Sequence, residues 1–306
     1  MIKQKIIAIA GASSTGTTLL AIELAKCLNG EIISVDSRQI YKELDIGSAK
    51  PSRQERQGIA HHLIDIIDVT QEYSVANFYD DAKIKIQEII ERGKVPILAG
   101  GTGLYFRVLL QDFDLPRVSP DIDLRKKLES ESSEILHKKL CELDIELAQK
   151  IHPNNKVKII RALEVCSKLG QPMSEAQKKK ESEFNTLWIG LNSNNREYLY
   201  ERINKRVDIM MEQGLLKEAQ NLFEKYPNNK ILTSTIGYQE FLPFLKGETS
   251  LDNAISLLKQ NTRRYAKRQI SWFKANKDIN WFDIQTQRHS EIKDNVLQLL
   301  GNVNEI

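Results

Sequence analysis

The sequence predicts an α/β fold in which helices flank a parallel sheet and a helical segment interrupts that core. Along residues 5–99, short apolar runs that suit buried strands alternate with amphipathic helical patterns, an order typical of parallel sheets. Between residues 116 and 186 the patterns are charged and helical, and an apolar run at 187–191 then restores a strand. We therefore expect a core of residues 1–115 and 187–306, with a helical insert at 116–186 of typical domain size.

The first predicted strand leads into a glycine-bounded loop. Residues 6–10 are a continuous apolar run, and apolar residues recur at helical spacing from Leu19 onward. A strand, such a loop and a helix in this order are the context of a phosphate-binding loop, whose N–H groups face an anion at the positive end of the helix dipole. The order predicts a P-loop NTPase-like core, in which the Thr18 hydroxyl would ligate Mg²⁺. The loop reads Gly11-Ala12-Ser13-Ser14-Thr15-Gly16-Thr17-Thr18.

One position of this loop departs from the phosphate-loop pattern. The pattern is G-x-x-x-x-G-K-[ST], and Thr17 stands where lysine is expected. Without that lysine, the loop could also be an ordinary turn between a strand and a helix. The flanking strand and helix favour the phosphate-binding interpretation.

The second predicted strand, at 31–35, is followed at once by an acidic residue, Asp36. Residues just beyond the carboxyl end of a parallel strand face the ligand crevice, so Asp36 is expected beside the glycine-bounded loop. Alternatively, Asp36 caps a helix that begins near Ser37. Its position alone does not distinguish these two interpretations.

A second glycine-rich turn follows the fourth predicted strand. Residues 61–66 form a third strand candidate, in which His61 and His62 would point to opposite faces and serve structural roles. An amphipathic helix is predicted at 74–92, ending at Gly93. The fourth strand, at 95–99, leads into Gly100-Gly101-Thr102-Gly103-Leu104-Tyr105. Two glycine-rich turns at one sheet edge suggest a common site, to which Thr102 would present its hydroxyl.

The last third of the sequence is helical and carries a basic stripe. Helical patterns occupy 201–224 and 254–277, and the second has seven Lys or Arg residues and no Asp or Glu. Three of its cations lie on one helical face, with aromatic residues interleaved, as expected for RNA binding. The alternative is a solvated face with its aromatic residues in the core. The three cations are Arg264, Lys267 and Arg268, called the basic face below.

Composition places the chain among ordinary globular proteins. The net charge of +3 does not by itself indicate nucleic-acid binding. The three cysteines follow no metal-binding spacing and are expected to be free thiols in a reducing compartment. The chain enters its first strand directly, without a signal-peptide pattern, and no apolar run reaches membrane-spanning length. We expect a cytoplasmic monomer that is not associated with membranes.

Taken in order, these motifs resemble the tRNA dimethylallyltransferases, also called tRNA isopentenyltransferases. The matching segments span nearly the whole chain, and their ordered set is specific although each segment is weak alone. Besides the two glycine-rich turns, they are Asp36-Ser37-Arg38-Gln39-Ile40-Tyr41, His61-His62-Leu63-Ile64-Asp65, His152-Pro153-Asn154-Asn155, Arg161-Ala162-Leu163-Glu164-Val165, Arg202-Ile203, Arg206-Val207-Asp208, Gly237-Tyr238-Gln239-Glu240 and Arg268-Gln269-Ile270-Ser271-Trp272-Phe273.

The resemblance implies a reaction and a set of roles. Family members move a dimethylallyl group from dimethylallyl diphosphate to N6 of the adenosine 3′ of the tRNA anticodon. They bind the diphosphate and Mg²⁺ in the phosphate loop, which is also described as ATP-binding by analogy. The residue matching Asp36 is the general base, and those matching Ser37, Arg38, Gln39 and Thr102 contact the target nucleotide. The helical insert grips the anticodon stem-loop.

The implied chemistry suits these residue types. A carboxylate can take the proton of a weakly nucleophilic adenine amine as the new N–C bond forms. Backbone N–H groups, Mg²⁺ and cations such as Arg202 or Arg206 would stabilise the departing diphosphate. Without the resemblance, surface pairing with neighbouring Glu or Asp residues would be the favoured explanation of these two arginines.

Three departures from the family pattern keep alternatives open. They are Thr17 for Lys, Asn155 for Asp and Lys158 for Arg. Because Thr17 removes a positive charge from the diphosphate site, a tRNA-binding relative with weakened or lost transferase activity is one alternative. A P-loop kinase or NTPase is another, although it usually requires the missing lysine. Transfer to a free adenylate is disfavoured, since a mononucleotide needs neither the insert nor the basic face.

Overall fold

In this computed structural model, the described residues are 3–111, 116–177 and 182–303, and they belong to two compact units. The core unit comprises Met1–Phe106 and Glu183–Ile306, and the helical unit comprises Arg107–Ser182. None of the helices within the described ranges is both long and apolar enough to cross a membrane.

A six-stranded parallel sheet forms the centre of the core unit, which confirms the predicted fold class. The strand order is β3-β2-β4-β1-β5-β6, and every pairing between neighbours is parallel. The strands are β1 (Gln4–Gly11), β2 (Gly30–Val35), β3 (His61–His62), β4 (Val95–Gly100), β5 (Phe184–Asn192) and β6 (Asn280–Asp283).

Helices connect the strands and build the helical unit. They are α1 (Thr17–Leu28), α2 (Val75–Glu91), α3 (Gly103–Leu110), α4 (Ile122–Glu129), α5 (Ser133–Leu143), α6 (Ile145–Lys150), α7 (Lys156–Leu169), α8 (Met173–Ala176), α9 (Arg196–Glu212), α10 (Leu215–Lys225), α11 (Lys230–Ser234), α12 (Leu242–Leu245), α13 (Leu251–Phe273) and α14 (His289–Val303).

Helices cover the two faces of the sheet. On one face, α1 and α14 pack on Ile7 and Ile189 in one hydrophobic cluster. Trp188 points to the opposite face because side chains alternate along a strand. There, Phe106 lies between Trp188 and Phe273 of α13, with ring centroids 5.5 and 5.8 Å away. The packing therefore holds α13 against the sheet beside the ends of its central strands.

Three predicted boundaries need correction. The helix predicted at 201–224 is divided into α9 and α10 by Gly214, whose φ of 100° ends a right-handed helix. The strand predicted at 61–66 stops after two residues, because Leu63 and Asp65 have φ of 58° and 57°. Residues 184–186, predicted within the insert, belong to β5 and pair with 4–6 of β1. The other predicted boundary, at residue 115, lies outside the described residues.

The two adjacent histidines have structural roles, as predicted. His61 Nδ1 lies 2.9 Å from the Ile59 carbonyl oxygen. His62 Nε2 lies 2.7 Å from the buried carboxylate of Glu31, which also accepts hydrogen bonds from Arg92 and Lys94. Although burial acts to raise the pKa of Glu31, these three partners lower it to about 2.

Candidate active site at the carboxyl edge of the sheet

The glycine-bounded loop has the backbone of a ligand cradle. Ser14 and Gly16 adopt φ of 67° and 96°, so that the chain turns twice before α1 begins. Thr15 closes the turn through its hydroxyl, which donates to the Ala12 carbonyl at 2.8 Å. A Cβ on Gly11 would lie 2.5 Å from Thr15 Oγ1, so only glycine permits this close return of the chain. The chain therefore makes a tight turn that leads directly into the N-terminus of α1.

Two polar atoms at this loop have no partner among the described residues. Ser14 Oγ is buried without a hydrogen bond, as is Nε2 of His289. The imidazole of His289 lies against Gly16, with Nε2 3.5 Å from the position of a Cβ there, and its Nδ1 lies 3.0 Å from Glu23 Oε2. Buried polar atoms are usually paired, so the loop is suited to receive a polar ligand.

A cation contacts the loop although Thr17 replaces the expected lysine. Arg202 of α9 donates from Nε to the carbonyl oxygen of Ser14 at 2.9 Å, and its guanidinium also lies over the ring of Tyr198. The side chain of Thr17 is half-buried, with its methyl group turned toward Gly11. Thr18 is the second residue of α1 and is half-buried.

Asp36 lies directly after β2, and its carboxylate is held by the backbone of the turn that follows. Its Oδ1 accepts hydrogen bonds from the N–H groups of Arg38 and Gln39, at 2.8 and 3.3 Å. No helix begins here; residues 37–40 form a turn, so the predicted alternative of a helix cap is wrong. Both contacts use Oδ1, which leaves Oδ2 of this half-buried carboxylate for a ligand.

The two strand ends that carry Asp36 and Thr102 are bonded to each other. The Thr102 N–H donates to the Val35 carbonyl, and Thr102 Oγ1 accepts from the Ser37 N–H, both at 3.1 Å. A Cβ on Gly100 would lie 2.2 Å from the Val35 carbonyl oxygen, so glycine is required for this approach. Asp36 and Thr102 are thus held side by side.

Arginines and tyrosines surround the Asp36 carboxyl group. The pKa of Asp36 is raised because the effect of burial is larger than that of the groups that lower it. Those groups are two backbone N–H donors and the charges of Arg38 and Arg206. Burial also lowers the pKa of Arg206, against the carboxylates of Glu55 and Asp36. Burial, followed by the Asp36 charge, raises the pKa of Tyr265 to about 12, whereas Arg38, Thr102 and Arg268 act to lower it. A carboxylate with a raised pKa is a stronger base.

The residues predicted to bind tRNA fall into two groups. Arg264, Lys267 and Arg268 of the basic face are all exposed on α13. By contrast, the Gln39 amide is occupied inside the protein: Oε1 accepts from Ser34 Oγ at 2.9 Å, and Nε2 donates to the Ala49 carbonyl oxygen. Gln39 therefore supports the Asp36 turn in this structure, and its contact with a nucleotide stays a prediction.

Sequence reasoning missed two site residues on α13, Tyr265 and Gln269. The charge of Asp36 affects the pKa of Tyr265, and Gln269 is hydrogen-bonded to both glycine-rich turns. Their spacing of four residues places them on one helical face, among buried apolar residues. An uncharged polar side chain on an otherwise apolar face was the signal that could have revealed Gln269.

Comparison with known proteins identifies the family of this chain. A family model described as IPP transferase matches residues 39–276, which is most of the chain. The chain belongs to this family. That match begins beyond the phosphate loop and Asp36, but relatives that cover 99% of this chain extend over both regions.

Members of the family resemble this chain over almost its whole length. A tRNA dimethylallyltransferase from Halothermothrix orenii is 45% identical over 96% of this chain and 92% of its own. The crystal structure of the tRNA isopentenylpyrophosphate transferase from Bacillus halodurans is 41% identical, with a TM-score of 0.75, and covers 99% of this chain and 98% of that one. A eukaryotic dimethylallyltransferase described as acting on tRNA is 33% identical, with a TM-score of 0.86, and covers 99% of this chain and 80% of that one.

No group of three or more His, Cys, Asp or Glu side chains within the described ranges could hold a metal ion. The three cysteines are free thiols. A metal held by a threonine hydroxyl and by ligand phosphates, as the sequence predicts for Thr18, does not require such a group.

Proposed function

We propose that this protein transfers a dimethylallyl group from dimethylallyl diphosphate to N6 of the adenosine 3′ of the tRNA anticodon. The names of full-length relatives support the reaction class. The observation that carries the proposal is the position of the Asp36 carboxylate at the end of β2. The turn that begins at Ser37 is hydrogen-bonded to Thr102, which follows the neighbouring strand β4.

Asp36 is proposed to act as the general base. The amine of adenine is a weak nucleophile because its lone pair is delocalised into the ring. As N6 attacks the allylic carbon, Asp36 Oδ2 accepts the proton that N6 loses, and the bond from this carbon to the diphosphate oxygen breaks. Two N–H groups on Oδ1 fix the carboxylate, and burial raises its pKa. Thr102 and Tyr265 would position the nucleotide, which must leave its stack to reach this carboxylate.

The loop of residues 11–18 is proposed to hold the diphosphate. Its backbone N–H groups, the N-terminus of α1 and the charges of Arg202 and Arg206 would stabilise the leaving group. The Thr18 hydroxyl, on the first turn of α1, is the oxygen donor that would hold Mg²⁺. When bound, Mg²⁺ would neutralise negative charge that develops on the departing diphosphate.

The proposed tRNA contacts come from the turn after β2, from the basic face and from the helical unit. The turn offers Ser37, Arg38 and Gln39 beside Asp36, and the basic face offers three exposed cations that suit phosphates. We assign the helical unit to the anticodon stem-loop, on its resemblance to the family's insert.

Transfer of label tests the proposal. The purified protein is incubated with radiolabelled dimethylallyl diphosphate, Mg²⁺ and unmodified tRNA, and label in the tRNA is counted. We expect label in this tRNA and none in a matched transcript with guanosine in place of the target adenosine. A gel shift of tRNA without label transfer would instead indicate a tRNA-binding relative without activity. ATP hydrolysis without label transfer would indicate an NTPase.

A further inference from the structure

Gln269 joins the two glycine-rich turns through a single side-chain amide. Its Oε1 accepts the backbone N–H of Ser13 in the phosphate loop at 3.0 Å, and Ser13 Oγ lies 3.5 Å away. Its Nε2 donates to the carbonyl oxygen of Gly101 at 3.0 Å. The Gln269 residue is 7% exposed, and its two hydrogen bonds to the turns are partly buried. An amide is the side-chain group that offers a neutral acceptor and a donor together at this spacing.

The backbone around Gln269 is shaped for this contact. A Cβ on Gly101 would lie 2.1 Å from Gln269 Nε2, and a Cβ on Gly103 would lie 2.1 Å from Trp272 Cδ1. Because these two residues lack a Cβ, the Gln269 and Trp272 side chains of α13 can pack directly against the backbone of the turn. Since the Ser13 N–H is directed at Gln269, the start of the phosphate loop is held by α13.

The same helix carries the basic face on its outer side. Arg264, Lys267 and Arg268 are exposed, whereas Gln269 is buried against the two turns. One helix thus carries exposed cations for a polyanion and, through Gln269, hydrogen bonds to both glycine-rich turns. Binding of a ligand to the basic face and binding of a ligand in the loop would both depend on how α13 packs against the two turns.

We propose that Gln269 is a positioning residue that couples tRNA binding on the basic face of α13 to diphosphate binding in the phosphate loop. The inference rests on the proposed function for the identity of both ligands. tRNA bound to the basic face favours the position of α13 in which Gln269 accepts the Ser13 N–H. In that position the phosphate loop keeps the conformation that binds an anion. Coupling between two binding sites is reciprocal, so diphosphate tightens tRNA binding by the same factor.

The coupling is measured with ligands that cannot react. Inorganic pyrophosphate with Mg²⁺ serves as the diphosphate probe, and its Kd is determined by calorimetry with and without saturating unmodified tRNA. For the wild type we expect tRNA to tighten pyrophosphate binding by about 5-fold or more, within the usual range for coupled sites. Gln269→Met keeps the length of the side chain but removes both hydrogen bonds, and should bring this factor close to one.

A second variant and a matched control separate coupling from folding. Gln269→Glu retains the acceptor for Ser13 but places an oxygen against the Gly101 carbonyl oxygen, so it should also lose the coupling. Gln260→Met changes an exposed glutamine of the same helix and should retain it. Thermal melts confirm that each variant is folded.

Two outcomes overturn the proposal. One is a wild-type factor of one, and the other is a folded Gln269→Met variant that retains the wild-type factor. Neither binding measurement needs transfer chemistry, so failure of the label-transfer assay would reject the proposed function without deciding the coupling.

Discussion

Replacing Thr17 by lysine should strengthen donor binding, because it restores a charge that the loop lacks. Thr17 is the first residue of α1, and its methyl group lies 2.7 Å from the position of a Cβ on Gly11, so its side chain lies over the loop. A lysine there would extend from the same backbone toward an anion bound by loop N–H groups other than those of Ser13 and Thr15, which donate to Gln269 and Ala12.

The expected gain follows from the strength of one charged hydrogen bond. Such a bond contributes roughly 1.5–3 kcal/mol, which corresponds to a change in affinity of about one to two orders of magnitude. The loop is half-buried, so solvent screens the new charge only in part. Arg202 already contacts the loop, but it is exposed and bonds to the Ser14 carbonyl rather than to the region of Thr17. We therefore expect the two cations to contribute separately.

The assay is steady-state transfer with saturating tRNA. Thr17→Lys should lower the KM for dimethylallyl diphosphate by about one to two orders of magnitude, and kcat should rise if the contact strengthens as the bond breaks. Thr17→Met, with a long uncharged side chain, should not improve KM. The same Thr17→Lys gain should appear in an Arg202→Gln background. A lysine variant no better than the wild type would refute the reasoning, and a gain confined to that background would mean that Arg202 already fills the role.

Three further predictions concern the base, the basic face and the helical unit. Asp36→Asn should lower kcat by about 100-fold or more with little change in tRNA affinity; because burial raises the Asp36 pKa, wild-type kcat should fall as pH drops through a value above 3.8. Replacing any one cation of the basic face by alanine should weaken the salt dependence of tRNA binding. The slope of the logarithm of the binding constant against the logarithm of salt concentration should fall in magnitude by roughly 0.7–0.9. Glu164→Gln should abolish about 3 kcal/mol of acid-sensitive stability, measured by urea unfolding between pH 6 and pH 2.

The Glu164 magnitude follows from its surroundings in the helical unit. The side chain is 0% exposed and accepts hydrogen bonds from Arg125, Arg161 and the N–H of Asp121. Although burial acts to raise the pKa of Glu164, these partners lower it from 4.5 to about 2. A lowered folded-state pKa contributes stability above the unfolded pKa, and this contribution is lost as pH falls from about 5 toward 2. The wild-type excess over Glu164→Gln should shrink across this range.

Each of these predictions has a contrary result. Near-normal kcat in Asp36→Asn would remove the general-base assignment. An unchanged salt slope would mean that the basic face is only solvated. A stability difference between wild type and Glu164→Gln that does not change with pH would show that the carboxylate titrates as it does in the unfolded chain.

The sequence by itself determined the fold class and the two turns that carry the candidate site. The apolar strand runs and the glycines of both turns are local signals, because strand burial and positive φ depend on a few neighbouring residues. Parallel strands end at one edge of a sheet, and this rule alone placed Asp36 beside the glycine-bounded loop and Thr102 at the same edge. Their hydrogen-bonded neighbourhood in the structure agrees with that placement.

The tertiary structure decided which side chains complete the site and which are turned inward. Gln39 lies in a family motif, yet its amide is occupied by Ser34 and Ala49. Arg202 gains a role at the loop from one hydrogen bond to Ser14, 188 positions away. Gln269 and Ser13 are 256 positions apart. The physical reason is that such contacts depend on how α9 and α13 pack on the sheet, and packing between distant segments leaves no periodic trace in the sequence.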